Sequence, residues 1–279
     1  MFQYMRSPCL ACHGKAPKCI LLAIHMELLK STPNQFSGLI IEPDALPGDP
    51  ELFRAALAAS IPIWRAQGAK VAWLELGLAR AALVPAAVGL GFVYHHAAAD
   101  RLQLTLTLIE GSHIPPYASH YVGAGGAVID TERRLLVVCE RYRRGPGKHY
   151  KLPGGALHEG EHIAEAVRRE ILEETGIDTA FQGLVCFRHW HGYRHGKSDI
   201  YFVCRMRPLS STIAFDTEEI AECLWMPVDE FLGREDVHAF NKRIVRAALD
   251  STGLVPTVIE GYGTPETHEI MLPGAGPAR

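Results

Sequence analysis

The chain has 279 residues, a formal net charge of -3 and 21% charged residues, long enough for two modest domains each with its own core. The near-neutral balance and the lack of any long Lys/Arg run exclude a general nucleic-acid or membrane-surface binder and leave small anionic ligands held by local charge. No apolar stretch approaches the ~20 residues that cross a bilayer. The odd total of 7 cysteines, with no secretory signal, predicts reduced thiols in a soluble, cytoplasmic protein.

Residues 1–35 show no sustained period and are expected to be a disordered extension, with Met26 an alternative start. Within it, Cys9, Cys12 and His13 match a c-type haem attachment pattern that would need export, and Cys19 would complete only a weak zinc clip. Residues 36–115 read as a small α/β domain. Ser37 to Ile41 is strand-like, and Asp49 followed by Pro50 caps and opens a helix that runs to about Gln67, with Gly68 past its end and a kink expected at Pro62. Val71 to Leu76 is a strand, Val84-Pro85 opens a short helix, and Gly91 to His95 and Leu102 to Ile109 are two more strands. His95 and His96, adjacent on a strand, should point to opposite faces, which argues against a shared metal.

A second domain is expected over residues 116–260, followed by a loose Gly/Pro-rich tail at 261–279. Gly126 to Asp130 and Leu135 to Glu140 pair around a turn, and Arg141 to His149 form a basic loop. Gly183 to Phe187 and Ser198 to Arg205 are strands flanking a loop at 188–197, an acidic segment spans Asp216 to Ala221, and a helix from about Ala239 to Leu249 closes the domain. His162 to Thr175 reads as a helix that Gly176 ends in a left-handed conformation. Ile163, Val167 and Ile171 form its apolar stripe, at about 100° per residue, with Glu170 and Glu174 on the edge of that stripe and Glu173 beside them. Carboxylates crowded toward a core need a cation. Oxygen donors without neighbouring Cys or His favour Mg²⁺, or Mn²⁺ in its place, which takes further ligands from phosphate.

The fixed points Gly155, Glu161, Arg169-Glu170, Glu173-Glu174, Gly176 and Ile177 carry the spacing of the Nudix box, and the chain resembles the Nudix hydrolases. The stretches from Trp64 to Leu76, Leu83 to Ala97, Phe187 to Cys204 and Glu219 to Phe231 resemble the two-domain subgroup of plant hydrolases of ADP-ribose and NADH, together with an animal Nudix protein encoded antisense to a fibroblast growth factor. The resemblance implies an α/β (α+β) protein: a mixed β-sheet sandwiched between helices, preceded by a domain like half of an acetyltransferase fold. It implies hydrolysis of a nucleoside diphosphate linked to another moiety, ADP-ribose or NADH above all. Coenzyme A, a dinucleoside polyphosphate or a binding-only role are the alternatives, and a homodimer is expected.

Mapped onto this sequence, the motif makes Glu170 and Glu174 metal ligands and Glu173 a third ligand or the group that orients water. Gly155 is expected to turn the backbone tightly so that its carbonyl reaches the metal. Glu161 and Arg169 would join loop to helix. Glu219 is either a further carboxylate of the site or a solvated acid. For the substrate, Arg188, His189 and Trp190 offer stacking and phosphate or ribose contacts, or else pack and point to solvent. Lys151 faces phosphate or is a surface charge.

Overall fold

The computed structural model describes residues 28–142 and 147–274, so the Cys9, Cys12, His13 and Cys19 pattern and Met26 lie outside the described residues. The chain forms two compact units, Met1–Tyr117 and Ala118–Arg279.

The first unit contains β1 (Ser31–Pro33), β2 (Leu39–Ile41), α1 (Pro50–Ala66), β3 (Val71–Gly77), α2 (Val84–Gly89), β4 (Val93–Ala97) and β5 (Arg101–Thr107). Its sheet runs β1-β2-β3-β5-β4. The α1 helix starts at Asp49, whose Oδ1 accepts from the amides of Glu51 (3.0 Å) and Leu52 (2.9 Å). It continues through Pro62 and buries Phe53, Leu57, Ile61 and Trp64, a helical stripe that seals one face of the sheet.

Two expectations need correction here. The disordered extension does not reach residue 35, because Leu29 is buried with its amide on Ser60 Oγ (2.9 Å) and β1 pairs with β2. His95 and His96 do not diverge either. A register irregularity between Tyr94 and His96 breaks the alternation and brings their Nδ1 atoms to 2.8 Å.

The second unit contains β6 (His120–Val128), β7 (Arg134–Glu140), β8 (Gly154–Ala156), α3 (Ile163–Thr175), β9 (Thr179–Trp190) and β10 (Ser198–Pro208), followed by β11 (Ile220–Pro227), α4 (Val228–Gly233), α5 (Ala239–Asp250), β12 (Leu254–Pro256) and β13 (Met271–Pro273). A mixed sheet in the order β13-β12-β9-β10-β6-β8 carries a parallel β6–β10 pair, and β7 pairs with β11 separately. On β10 the side chains alternate: Cys204 and Met206 pack with Val167 and Ile171 of α3, whereas Val203 packs with Phe231 of α4 and Val245 and Ala248 of α5. The sheet is thus covered on both faces, each buried Val, Leu or Ile contributing about 1.5–3 kcal/mol. Among the described residues no helix is long and apolar enough to cross a membrane.

Two further corrections concern this unit. β9 runs on to Trp190, which faces Asp199 on β10, so Arg188, His189 and Trp190 lie on a strand rather than in a loop. The tail is not loose up to residue 273: β13 pairs with β12, and Glu269 reaches α3. His162, at the N-cap position, makes no side-chain cap, and the carboxylate of Glu269 accepts instead from the amides of Ile163 (2.8 Å) and Ala164 (3.2 Å). Glu269→Ala should cost about 1 kcal/mol, as loss of a cap does, lowering the melting temperature by about 2–4 °C. An unchanged melt would mean that water caps the helix equally well.

Candidate active site

The site forms where α3 passes the edge strand β8. Gly154 and Gly155 pair with Gly125 and Ala124 on β6, and both glycines answer a packing need. Gly154 has φ 146°, a region that favours glycine, and its amide donates to Glu174 Oε2 at 2.8 Å. Gly155 is extended, not tightly turned as expected. A Cβ there would stand 2.4 Å from Glu170 Oε2, so a larger residue would push that carboxylate aside. Two carboxylates one helical turn apart thus lie against successive residues of the same strand, Glu174 bonded to it and Glu170 packed beside it.

Arg169 organises the rest. Its guanidinium makes a two-point bridge to Glu161 (Nε–Oε1 2.7 Å, Nη2–Oε2 2.8 Å) and donates from Nη1 to Glu170 (2.8 Å) and Glu173 (3.1 Å). Its Nη2 also reaches the Ala156 carbonyl at 3.2 Å. The loop before α3 is thus tied to the helix, and the Arg169 hydrogen bonds hold the Glu161 carboxyl down at about 2. Glu174 behaves oppositely. Burial pushes its pKa up to about 7, further raised by Glu170 and Glu140 and only partly offset by Lys151 and the Gly154 amide. Glu173 is the exposed member, its side chain 60% accessible.

Lys151 is brought to the cluster as a partner of carboxylates, with Nζ 2.5 Å from Glu140 and 3.8 Å from Glu174. Glu219 is exposed, yet it lines a cleft of about 210 Å³ with Glu140, Tyr142, Glu174 and Ile220. Arg141 fixes that segment, its amide on the Glu219 carbonyl (2.7 Å) and its Nε on that of Thr217 (2.8 Å). If Glu219 acts on bound substrate from this wall, Glu219→Gln should lower kcat far more than it raises KM, and an unchanged kcat would return it to a solvated acid.

The substrate residues expected on β9 contact other partners. Arg188 pairs with Asp199 and lies over Trp190, Tyr201 and Phe240, and His189 Nε2 is 2.9 Å from His120 Nε2. Trp190 stays 46% exposed. Sequence reasoning missed Gly154, Glu140 and Glu269. The first was readable as a glycine pair ahead of the helix, the second as an acid ending an apolar strand, and the third carried no local signal.

Among the described residues no three His, Cys, Asp or Glu side chains already converge on one point, and Arg169 holds two of the candidate ligands. The donor chemistry nonetheless fits a hard divalent cation. It is all oxygen, one carboxylate is buried and held by a single amide hydrogen bond, and the absent Gly155 side chain lets the Glu170 carboxylate sit against the strand.

A model of the NUDIX domain matches residues 119–248, and a second, for a Nudix hydrolase domain, matches residues 29–108. Nudix hydrolase 2 of Arabidopsis thaliana is 38% identical over 225 residues, 80% of this chain and 80% of that protein. The chain belongs to the Nudix hydrolase family. Nudix hydrolase 8 of Arabidopsis thaliana is 40% identical over 74% of this chain, and the human nucleoside diphosphate-linked moiety X motif 6 is 38% identical over 72%. The chain spans 56% and 64% of the length of these two relatives. Among solved structures, a NUDIX hydrolase from Nitrosomonas europaea aligns with a TM-score of 0.40 and 25% identity, covering 46% of this chain and 86% of that one. Nudix proteins generally use divalent cations.

Proposed function

We propose that the chain is a Mg²⁺-dependent pyrophosphohydrolase, with Mn²⁺ able to substitute, that cleaves nucleoside diphosphates linked to another moiety, ADP-ribose and NADH first among them. The observation that carries this reading is Glu174, a carboxylate buried at the strand edge beside Glu170 with one amide hydrogen bond and a distant lysine for compensation. The human relative's name describes the same substrate class, a nucleoside diphosphate linked to a moiety X.

In this mechanism Glu170 and Glu174 would hold the cation, with the Gly155 carbonyl as a further donor, and Arg169 keeps Glu170 and Glu173 aligned. A bound divalent cation would neutralise the diphosphate and lower the pKa of a ligated water. Glu173, exposed at the rim, orients the attacking water or takes its proton, and Glu219 lines the cleft that Glu174 borders. Water adds to one phosphorus as the bridging P–O bond breaks, the leaving phosphate departing with that bond's electron pair. Trp190 and Phe187, both exposed on β9, offer ring faces to a base. The reading extends to a homodimer through residues 36–110 and to the cytoplasm, where the free thiols of Cys186, Cys204 and Cys223 persist. A monomer by light scattering at micromolar concentration would overturn the dimer.

The test is a substrate panel with Mg²⁺ and chromatographic identification of both products. ADP-ribose should yield AMP and ribose 5-phosphate, and NADH should yield AMP and reduced nicotinamide mononucleotide. Cleavage confined to coenzyme A or dinucleoside polyphosphates would move the substrate class, and tight binding without turnover would make the protein a nucleotide-binding regulator.

A further inference from the structure

Tyr201 carries a polar group that the protein itself leaves without a partner. It stands on β10, opposite Gly123 of β6 on one side and Arg188 of β9 on the other. Its ring lies across strands that have no side chains to obstruct it. A Cβ on Gly123 would come within 3.0 Å of the ring, one on Gly125 within 2.1 Å of the hydroxyl oxygen, and one on Gly154 within 2.7 Å of that oxygen. The phenol therefore ends over the backbone of Gly125 and of Gly154, whose amide holds Glu174.

The hydroxyl makes no hydrogen bond with any described residue. Burial, reinforced by the negative charge of Glu174 and Glu170, raises the phenol well above its ordinary pKa. Like any phenol at neutral pH it carries a proton that it can donate. Tyr201 is half-buried, so its unpartnered hydroxyl is only partly withdrawn from water, at a modest cost that phenylalanine in the same space would avoid. What justifies the oxygen is a ligand that accepts. The three glycines make room for the ring and bring the hydroxyl to the strand edge at Gly154.

We propose that Tyr201 is a substrate-binding residue whose hydroxyl donates a hydrogen bond to a diphosphate oxygen of a substrate bound at the Gly154 edge of the strand. The proposal rests on the pyrophosphohydrolase reading and adds to it a neutral donor on the sheet side of the diphosphate, across from the α3 carboxylates.

The test is Tyr201→Phe in the full chain. It combines metal-free thermal melts, calorimetric titration with the non-hydrolysable methylene analogue of ADP-ribose in Mg²⁺, and steady-state kinetics. The melting temperature should hold or rise, because only an unpartnered hydroxyl is removed. The analogue's dissociation constant should rise about tenfold or more, as expected for a hydrogen bond to a charged group, with kcat/KM falling at least as far. The melting shift produced by Mg²⁺ alone should stay as in the wild type. Affinity and kcat/KM both within twofold of wild type would overturn the proposal. So would a metal-free melt lowered by several degrees, or a variant that fails to fold, since either marks the hydroxyl as structural. If the wild type binds the analogue but turns nothing over, the hydrolase reading fails while the titration still decides Tyr201. If it binds nothing, both fail.

Discussion

Glu174→Gln should lower kcat by about a hundredfold or more in a protein that remains folded, because it withdraws an anionic ligand from the ion that activates water. The amide oxygen of glutamine can still accept from the Gly154 amide, now at 2.8 Å from Oε2, so the strand contact survives. The metal-free protein should gain stability from the same change, and the gain should depend on pH. In the folded chain the Glu174 carboxyl titrates at about 7 rather than 4.5. Between those values the unfolded chain releases its proton while the folded one keeps it, so this group destabilises the fold progressively as pH rises through the window. Wild type and variant should therefore match near pH 4 in chelator and diverge by up to about 3 kcal/mol in favour of the variant above pH 7. With Mg²⁺ the order reverses, because the variant loses most of the metal-induced rise in melting temperature. A folded variant with activity within about threefold of wild type and an undiminished Mg²⁺ shift would remove Glu174 from the ligand set.

Arg169→Gln should have the largest effect on stability. One guanidinium satisfies Glu161 at two points, Glu170, Glu173 and the Ala156 carbonyl, and its side chain is only 22% exposed. Removing it leaves carboxylates facing one another within a helical turn and unties the loop before α3, at a cost of about 3–5 kcal/mol if the partners cannot rearrange. The loss should track Glu161. The folded pKa of that carboxyl is about 2, down from 4.5, so its bridge contributes fully above pH 4.5 and fades as pH falls through 2. Denaturant melts should accordingly separate wild type from variant at pH 7 and bring them together near pH 2. Turnover should fall at least tenfold, since Glu170 and Glu173 lose the group that aligns them. Arg169→Lys should recover only part of it, lacking the fork that holds Glu161 at two points. Equal melts at pH 7 would show that the bridge is a surface contact of little worth.

Much of the second unit was legible because its signals are local. Gly176 does end α3 in the left-handed region, at φ 72°, and Val167 and Ile171 are fully buried, as their spacing indicated. The crowding of Glu170 and Glu174 toward the core follows from the same periodicity. What escaped sequence reading depends on contacts between distant segments. Glu269 caps a helix more than a hundred residues upstream, and no local pattern marks an acid in a Gly/Pro-rich tail as a cap. The strand β9 outran its apolar stretch because its ladder with β10, not its composition, sets its length. At His95-His96 a single register irregularity reversed the conclusion drawn from strict alternation. Gly155 was expected for a turn, whereas its need for a missing side chain appears only once Glu170 is packed against it.

The central claim is that the α3 carboxylates and the Gly154-Gly155 strand hold the divalent cation of a Nudix hydrolase. Anomalous diffraction from crystals of the full chain soaked in millimolar Mn²⁺ tests it most directly. The account expects a peak about 2 Å from carboxylate oxygens of both Glu170 and Glu174, the distance of a ligated hard cation, and no such peak in Glu174→Gln. A peak at the His120–His189 pair instead, or none near α3 while the soaked enzyme is active, would contradict it.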